Sequence, residues 1–227
     1  MKKRRCVVLL SGGQDSTTCA YVARMLFDEL HAVSVRYGQR HAAELGAASV
    51  IARALGATHE VLSAPALSDI GGSALVSGGE IAPRGGHVDA AMPEGLPTTF
   101  VPGRNLWFLA MAASVAVREG ARDIMTGTCE TDYSGYPDCR ESFIRATEQA
   151  INEAMPTSSG PIRVHTPLMH LDKAATVRLA RRLPGCWEAL AHTVTCYEGR
   201  RPGCGRCPAC LLRARGFDEA GEVDPAS

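Results

Sequence analysis

The chain has 227 residues, and its 24 lysines and arginines balance 24 aspartates and glutamates, so its formal net charge is zero. This length predicts one large domain, or one domain with a small appendage, and it allows a buried core without disulfide bonds. Zero net charge argues against a protein whose main task is to coat nucleic acid or an anionic membrane. The apolar runs 6–10 and 106–117 are too short for a signal peptide and a membrane span, so we expect a cytoplasmic protein without a membrane partner.

Short apolar runs alternate with helical patterns along most of the chain. Strands are predicted at 6–10, 31–37, 58–62, 123–126 and 162–165, and helices at 15–30, 42–55, 105–119, 141–155 and 172–183. This alternation predicts an α/β fold with an open, mainly parallel sheet and helices on both faces. Residues 63–99 break the pattern, with seven glycines between Gly71 and Gly95, and are predicted to form a long loop or a mobile insertion.

A glycine-rich turn joins the first predicted strand to the first predicted helix. It reads Ser-Gly-Gly-Gln-Asp-Ser-Thr-Thr over residues 11–18. Glycines let the backbone approach a ligand closely, and the free N–H groups of a helix start favour phosphate. Asp15 could hold a Mg²⁺ ion carried by the phosphates. The spacing matches neither a Walker loop nor a dinucleotide fingerprint. The alternative is a tight turn in which Asp15 caps the helix.

Four of the nine cysteines lie close together near the C-terminus, with the spacing Cys196-x7-Cys204-x2-Cys207-x2-Cys210. Four thiolates favour a tetrahedral, structural Zn²⁺ site; an iron–sulfur cluster and unligated cysteines are the alternatives. We therefore expect a main domain at 1–190 and a small zinc-binding segment with a tail at 191–227. Other cysteines are expected to be small buried hydrophobes (Cys6, Cys19, Cys186) or to lie near a ligand site (Cys129, Cys139).

Five arginines surround the cysteine cluster and could contact nucleic acid. The neutral balance of the whole chain instead favours a solvated face, or arginines directed at ligand phosphates, and no direct nucleic-acid partner. These arginines are Arg200, Arg201, Arg206, Arg213 and Arg215.

Three further segments follow predicted strands or lead into a predicted helix, and ligands of open α/β sheets bind beyond the carboxyl ends of the strands. They are 37–41, 99–105 and 127–140. The third is rich in tyrosines and carboxylates, which suit a flat heterocycle with a guanine-like edge. Arg104 and Arg140 suit a carboxylate or a phosphate. The alternative is a long polar turn.

The turn SGGQDS resembles the signature of the N-type ATP pyrophosphatases, whose fold is the Rossmann-like adenine nucleotide alpha-hydrolase type. Taken together, SGGQDSTT, YGQRH, TFVPGRN, ETDYSGYPDCR, TPL and TCYEG…CGRCPAC resemble the 7-cyano-7-deazaguanine synthase family, from Val7 to about Phe217. Separated blocks in one order are more specific than any single motif. Only the glycine-rich loop and the short tail fall outside the resemblance.

The resemblance implies an ATP-dependent ligase that converts 7-carboxy-7-deazaguanine and ammonia to 7-cyano-7-deazaguanine through adenylated intermediates, in queuosine biosynthesis. It implies ATP, Mg²⁺ and Zn²⁺ as cofactors and a homodimer. The implied catalytic residues are Asp15, Arg104 and Lys173. The implied ATP site is Leu10, Ser11, Gly12, Gly13, Gln14, Asp15, Ser16, Thr17 and Thr18. The implied substrate site is Tyr37, Gln39, Arg40, Arg104, Asn105, Glu130, Asp132, Tyr133, Tyr136, Asp138 and Arg140, and the zinc ligands are the four clustered cysteines.

Three other functions stay open at this point. One is a different AMP-forming enzyme on the same fold, such as a tRNA-modifying thiolase or an amide ligase. Another is a relative that joins the deazaguanine carboxyl to a different amine. The third is a zinc-dependent nucleic-acid-binding module, which would leave the SGGQDS turn without a role.

Overall fold

The computed structural model describes residues 3–39, 43–70, 73–76, 96, 99–131, 136–155, 157 and 160–227. Three residues expected in the substrate site, Arg40, Asp132 and Tyr133, lie outside the described residues. Most of the glycine-rich segment between 71 and 95 also lies outside them.

Five parallel strands form a single open sheet in the order β3-β2-β1-β4-β5. They are β1 (Arg5–Leu9), β2 (Glu29–Arg36), β3 (Thr58–Ser63), β4 (Asp123–Met125) and β5 (Arg163–His165). The central strand pairs Val7 with His31 of β2 on one side and with Ile124 of β4 on the other. The chain winds in one direction from β1 to β3 and in the other from β4 to β5, so the topological switch point lies between β1 and β4.

Eight helices lie within the described residues, together with a 3₁₀ turn at Pro137–Cys139. They are α1 (Gln14–Leu26), α2 (Ala43–Ala54), α3 (Ala66–Ile70), α4 (Arg104–Glu119), α5 (Glu141–Ala154), α6 (Lys173–Arg182), α7 (Cys186–Leu190) and α8 (Pro208–Ala220). The fold class expected from the sequence is confirmed, with strands and most helices within one or two residues of their predicted bounds.

Three expectations about the helices were wrong. The first helix ends at Leu26 instead of residue 30, because the N–H groups of Asp28 and Glu29 donate to the Arg4 carbonyl and begin β2. Within 63–99, residues 66–70 form a short helix that buries Leu67 completely. Neither α7 nor α8 was predicted. Helix α7 has only five residues, and the sequence of α8 was interpreted only as part of the cysteine cluster and its tail.

Two hydrophobic cores lie on opposite faces of the sheet, because side chains alternate along each strand. Cys6 and Val8 of β1 face one core, in which α1, α2, α6, α7 and α8 contribute buried residues. Val7 faces the other core, which contains buried residues of α4 and α5. Both faces are covered, as a parallel sheet requires.

The C-terminal segment packs into the first of these cores. Helix α8 begins with Pro208 at its first turn, ends at Gly221 in the left-handed region, and buries Phe217 against the main domain. The division at residue 190 stays a prediction. Within the described part of the chain, no helix is both long and apolar enough to cross a membrane.

Candidate active site

A cavity of about 330 Å³ lies at the carboxyl ends of β1, β2 and β4, where the switch point predicts a ligand site. Leu10, Val35 and Thr126 follow or end these strands and line its floor. Its walls come from the turn after β1, the start of α4, the start of α6 and the segment around the cysteine cluster. Four distant parts of the sequence therefore meet at one opening.

Residues 11–16, which comprise the turn after β1 and the first residues of α1, are held by their own hydroxyl groups; we call this segment the phosphate loop after the phosphate site that its sequence predicts. The Ser11 and Ser16 hydroxyls lie 2.9 Å apart, and the Gly13 carbonyl accepts from the Thr17 hydroxyl at 2.8 Å. Gly13, not Asp15, is the N-cap, and the cap residue itself makes no side-chain hydrogen bond to the helix. The cap residue therefore adds no acceptor that would compete with an anion at the helix start.

Gly12 allows the phosphate loop to pack against α2. Its φ is +89°, and a Cβ atom there would lie 2.2 Å from the Glu44 carbonyl oxygen. A side chain at this position would be strained and would collide with backbone. Gly12 does not line the cavity, and neither do Thr17 and Thr18, whose hydroxyls donate to carbonyls in the preceding turn.

Asp15 and Lys173 form an ion pair inside the cavity wall. The Lys173 ammonium lies 2.9 and 2.8 Å from the two carboxylate oxygens, and only 9% of the lysine side chain is exposed. Asp15 keeps 31% of its side chain exposed and can still offer oxygen atoms to a ligand. The pair puts a cation and a carboxylate beside the phosphate loop.

Gln14, the first residue of α1, is 2% exposed and lines the cavity. Neither its amide oxygen nor its amide nitrogen has a hydrogen-bond partner among the described residues, and the same holds for the Thr128 hydroxyl. Unpartnered buried polar atoms are costly. Their presence at the cavity fits a site in which a ligand supplies the missing bonds.

The opposite wall is aromatic and cationic. The Arg104 guanidinium lies 5.8 Å from the centre of the Tyr136 ring, and the rings of Tyr37 and Phe108 are 5.5 Å apart. Burial raises the pKa of Tyr37, although the neighbouring Arg104 opposes that shift. Gln39 also lines the cavity, and its amide oxygen accepts from the Tyr37 N–H at 2.8 Å. A flat ligand with a negative group would suit this wall.

Asn105 ties this wall together. Its backbone N–H donates to the Asp138 carboxylate at 3.1 Å, and its amide donates to the Asp138 carbonyl at 2.9 Å and to the Cys139 sulfur at 3.3 Å. Burial raises the pKa of Asp138. Asn105 lines the cavity and Asp138 lies directly behind it.

Two residues expected in the substrate site point elsewhere. Glu130 is exposed, and its carboxylate accepts from the Glu141 N–H at 2.9 Å, at the start of α5. Arg140 is exposed and is the N-cap of α5. Neither lines the cavity.

Two cavity residues carry chemistry that sequence reasoning missed, Glu44 and Tyr197. Burial raises the pKa of Glu44 to about 7, with Arg104 acting in the opposite direction. Tyr197 follows Cys196 directly, and burial raises its pKa well above the ordinary value. No spacing rule in the sequence links Glu44 to Arg104, so only the fold reveals their proximity.

The four clustered cysteines converge on one point. Their sulfur atoms all lie within 4.8 Å of one another. Backbone N–H groups of Glu198 and Cys204 donate to the Cys196 sulfur at 3.3 and 3.4 Å, as is common around thiolates. A Cβ atom on Gly203 would lie 2.7 Å from the Cys210 sulfur, so this position needs glycine. The donor set fits a tetrahedral metal ion with four thiolate ligands.

The arginines around the cluster do not behave alike. Arg200, Arg201, Arg206 and Arg215 are exposed, as expected for a solvated face. Arg213 is 8% exposed and forms a two-pronged ion pair with Asp224, at 2.6 and 2.8 Å, so it does not belong to the solvated face that was one of the two expectations for these arginines.

The remaining cysteines are also described by the structure. Cys6, Cys19 and Cys186 are buried in the first core, as expected. Cys129 and Cys139 line the cavity, but burial raises the pKa of the Cys139 thiol to about 12, which disfavours the reactive thiolate.

Comparison with solved structures defines the class. The chain is similar to a Methanocaldococcus jannaschii protein described as a predicted subunit of tRNA methyltransferase, with a TM-score of 0.50, 19% identity and coverage of 78% of this chain and 74% of that one. It is also similar to a 4-thiouridine synthetase solved with RNA and bound ATP, with a TM-score of 0.53, 16% identity and coverage of 95% and 53%. At these identities the likeness shows the fold alone, which is the adenine nucleotide alpha-hydrolase type.

Comparison of sequences is more specific. The family model "Queuosine biosynthesis protein QueC" matches residues 5–221. A 7-cyano-7-deazaguanine synthase of Laribacter hongkongensis is 51% identical over 219 residues, covering 96% of this chain and 92% of the relative. The enzyme of that name from Bacillus subtilis is 44% identical over 221 residues, covering 96% of each. The chain therefore belongs to the QueC family of queuosine biosynthesis proteins.

Proposed function

We propose that this protein is an ATP-dependent ligase that converts 7-carboxy-7-deazaguanine and ammonia to 7-cyano-7-deazaguanine. Family membership together with relatives named for this product over nearly their full length carries the proposal. The cavity adds chemical support, because it joins a phosphate loop and an Asp15–Lys173 pair to an aromatic wall that contains Arg104.

The reaction needs activation because a carboxylate oxygen is a poor leaving group. The carboxylate attacks the α-phosphorus of ATP, pyrophosphate departs, and an acyl adenylate forms. Ammonia attacks the carbonyl carbon, a proton is lost, and AMP departs to leave the amide. The amide oxygen then attacks the α-phosphorus of a second ATP, pyrophosphate departs again, and loss of two N–H protons with AMP gives the nitrile.

The residues divide this work between two walls. Backbone N–H groups of the phosphate loop and the start of α1 bind the departing pyrophosphate. The Lys173 ammonium offsets negative charge that develops on the phosphates, and preorganised charge of this kind is the main catalytic contribution. Arg104 binds the carboxylate or the α-phosphate, and Tyr37 and Tyr136 flank the heterocycle.

Two metal ions complete the proposal. Asp15 would hold Mg²⁺, which neutralises phosphate charge when it is bound. The four clustered cysteines would hold Zn²⁺, whose closed thiolate shell supplies stability and no open position for chemistry. A homodimer in the cytoplasm remains the expectation of the resemblance, and analytical ultracentrifugation tests the oligomeric state.

Mass spectrometry of the purified protein with Mg·ATP, ammonium and 7-carboxy-7-deazaguanine tests the reaction. We expect the nitrile, AMP and pyrophosphate to appear together, and all three to be lost in Asp15→Ala. AMP without nitrile would retain adenylation and overturn the assigned acid or amine. A folded, zinc-loaded sample that forms no AMP would overturn the enzyme and favour a nucleic-acid-binding module.

A further inference from the structure

Helix α8 lines part of the cavity, with Leu212 and Arg213 among the lining residues, and it also contacts residues that hold the phosphate loop and its ion pair. Its first turn is anchored by the cysteine cluster, because Cys207 is its N-cap and Cys210 lies in its first turn. Residues 213 and 216 are three apart and therefore lie on one face of the helix. Both are buried against residues that contact the loop.

Arg213 reaches the loop through the segment 193–195. Its guanidinium donates to the Thr193 hydroxyl at 2.8 Å and to the Thr195 hydroxyl at 2.9 Å. Between them, the Val194 N–H donates to the Gly12 carbonyl at 2.9 Å. Thr195 also accepts from the Gln14 N–H at 3.4 Å. The buried Arg213 guanidinium therefore fixes the segment 193–195, which in turn bonds to the Gly12 carbonyl and to the Gln14 N–H.

Gly216 packs against the Lys173 side chain, and Lys173 in turn pairs with Asp15 of the loop. A Cβ atom built on Gly216 would lie 2.3 Å from Lys173 Cγ and 2.9 Å from Lys173 Cβ. The lysine stem therefore lies directly against the α8 backbone and cannot tilt toward it. This contact sets the direction in which the ammonium reaches Asp15 at 2.8 and 2.9 Å.

We propose that Arg213 and Gly216 are positioning residues for the ATP phosphate loop. Arg213 sets the loop backbone through Val194 and Thr195, and Gly216 sets the Asp15–Lys173 pair. The C-terminal segment thereby contributes to nucleotide binding by holding the loop backbone and the Asp15–Lys173 pair. The inference rests on the proposed binding of ATP at this loop, but it does not depend on which acid is activated.

Calorimetric titration with Mg²⁺ and an ATP analogue carrying a methylene bridge between the α and β phosphorus atoms tests Gly216 without turnover. Gly216→Ala is expected to weaken binding by about tenfold, because the added methyl group must displace the Lys173 stem. Gly46→Ala is the matched control, since a Cβ at this helical glycine meets nothing within 4 Å. It should bind the analogue like the wild type.

A double-mutant cycle separates positioning from general destabilisation. If Gly216 acts through the lysine, Gly216→Ala costs much less affinity in a Lys173→Ala background than in the wild type. An equal loss in both backgrounds, or unchanged analogue binding in a folded Gly216→Ala protein with full metal content, would overturn this half of the proposal.

Thr195→Val provides a second test that preserves side-chain volume and keeps the buried Arg213–Asp224 pair. We expect about threefold weaker analogue binding, because the hydroxyl that links Arg213 to the Gln14 N–H is lost. Thr58→Val removes a hydroxyl on β3 and is the control. Unchanged binding in Thr195→Val would overturn the route through Arg213.

Failure of this inference can be told apart from failure of the proposed reaction. A wild-type protein that binds the analogue but forms no nitrile would overturn the reaction and leave the positioning test intact. A wild-type protein that binds no nucleotide would overturn both.

Discussion

The two walls of the cavity are organised in different ways. The phosphate loop is held mostly by bonds among neighbours, such as the Ser11–Ser16 pair of hydroxyls and the bond from Thr17 to the Gly13 carbonyl, and distant Val194 adds a backbone bond to it. The segment 136–139 is held by distant residues, since Tyr136 bonds to the Thr99 hydroxyl at 2.5 Å and Asp138 bonds to Asn105. The sequence identified both segments as candidate ligand sites, but only bonds among neighbours can be recognised from it.

Asp15→Asn is expected to have the largest effect on activity, because Asp15 belongs to the local motif but pairs with Lys173, which is distant in sequence. Asp15→Asn should lower kcat/KM by about a thousandfold, since it removes a charge at the phosphate site and leaves a buried ammonium without its partner. A continuous assay of AMP and pyrophosphate release measures the change. Asp28→Asn, at an exposed aspartate beside Arg4, should retain activity. Comparable activity of the two variants would contradict the role of Asp15.

Substitution of one clustered cysteine tests whether the C-terminal segment is held by the proposed metal site, whose ligands are close in sequence, or by its distant contacts with the sheet. Cys204→Ser should abolish stoichiometric metal binding and lower the free energy of unfolding by about 3 kcal/mol or more. Native mass spectrometry and denaturant titration provide the two readouts. Cys6→Ala, in the sheet core, should retain full metal content. A Cys204→Ser protein with a full complement of metal would contradict a four-thiolate site.

Asn105→Ala tests the aromatic wall, whose segment 136–139 is held by contacts that are distant in sequence. It removes two amide hydrogen bonds to the segment 136–139 and should cost about 1–3 kcal/mol of stability. We expect the KM for the acid to rise several times more than the KM for ATP. Initial rates with each substrate varied in turn measure both constants. Equal changes in the two constants would mean that the two walls are not separable.

Glu44 gives the smallest expected effect, in the pH dependence of stability. Burial raises its pKa to about 7, so the folded state binds a proton that the unfolded state has already lost above about pH 4.5. Stability therefore falls as pH rises from about 5 to 7. Glu44→Gln should reduce that slope and raise stability at pH 8 by on the order of 1–2 kcal/mol, measured by urea titration at several pH values.

Glu29 is the control for that experiment. It keeps 35% of its side chain exposed, and hydrogen bonds from Lys3 and Arg5 lower its pKa, which is opposite to the direction for Glu44. Glu29→Gln should leave the slope between pH 5 and 8 as it is in the wild type. A Glu44→Gln protein with the same slope as the wild type would mean that Glu44 is ionised throughout this range.

Features that depend on neighbouring residues could be predicted from the amino-acid sequence. Apolar runs of strand length predicted the parallel α/β class, the SGGQDS motif predicted the turn between β1 and α1, and the spacing of four cysteines predicted their convergence. Each of these depends on residues close together in the chain, whereas phosphate binding at the turn stays a prediction. Even the strand bounds were close, since burial on both faces demands continuous apolar residues.

The contacts between distant residues are visible only in the folded protein. Asp15 pairs with Lys173, Glu44 lies beside Arg104, Arg213 is buried against Asp224, and Gly216 of α8 packs against the Lys173 stem. The folded protein also uses Glu130 and Arg140 at the start of α5, although their residue types suited a ligand. A charged side chain has the same sequence signature in solvent, in an ion pair or at a ligand site. Its role depends on which partners the packing of the two cores brings within hydrogen-bond distance.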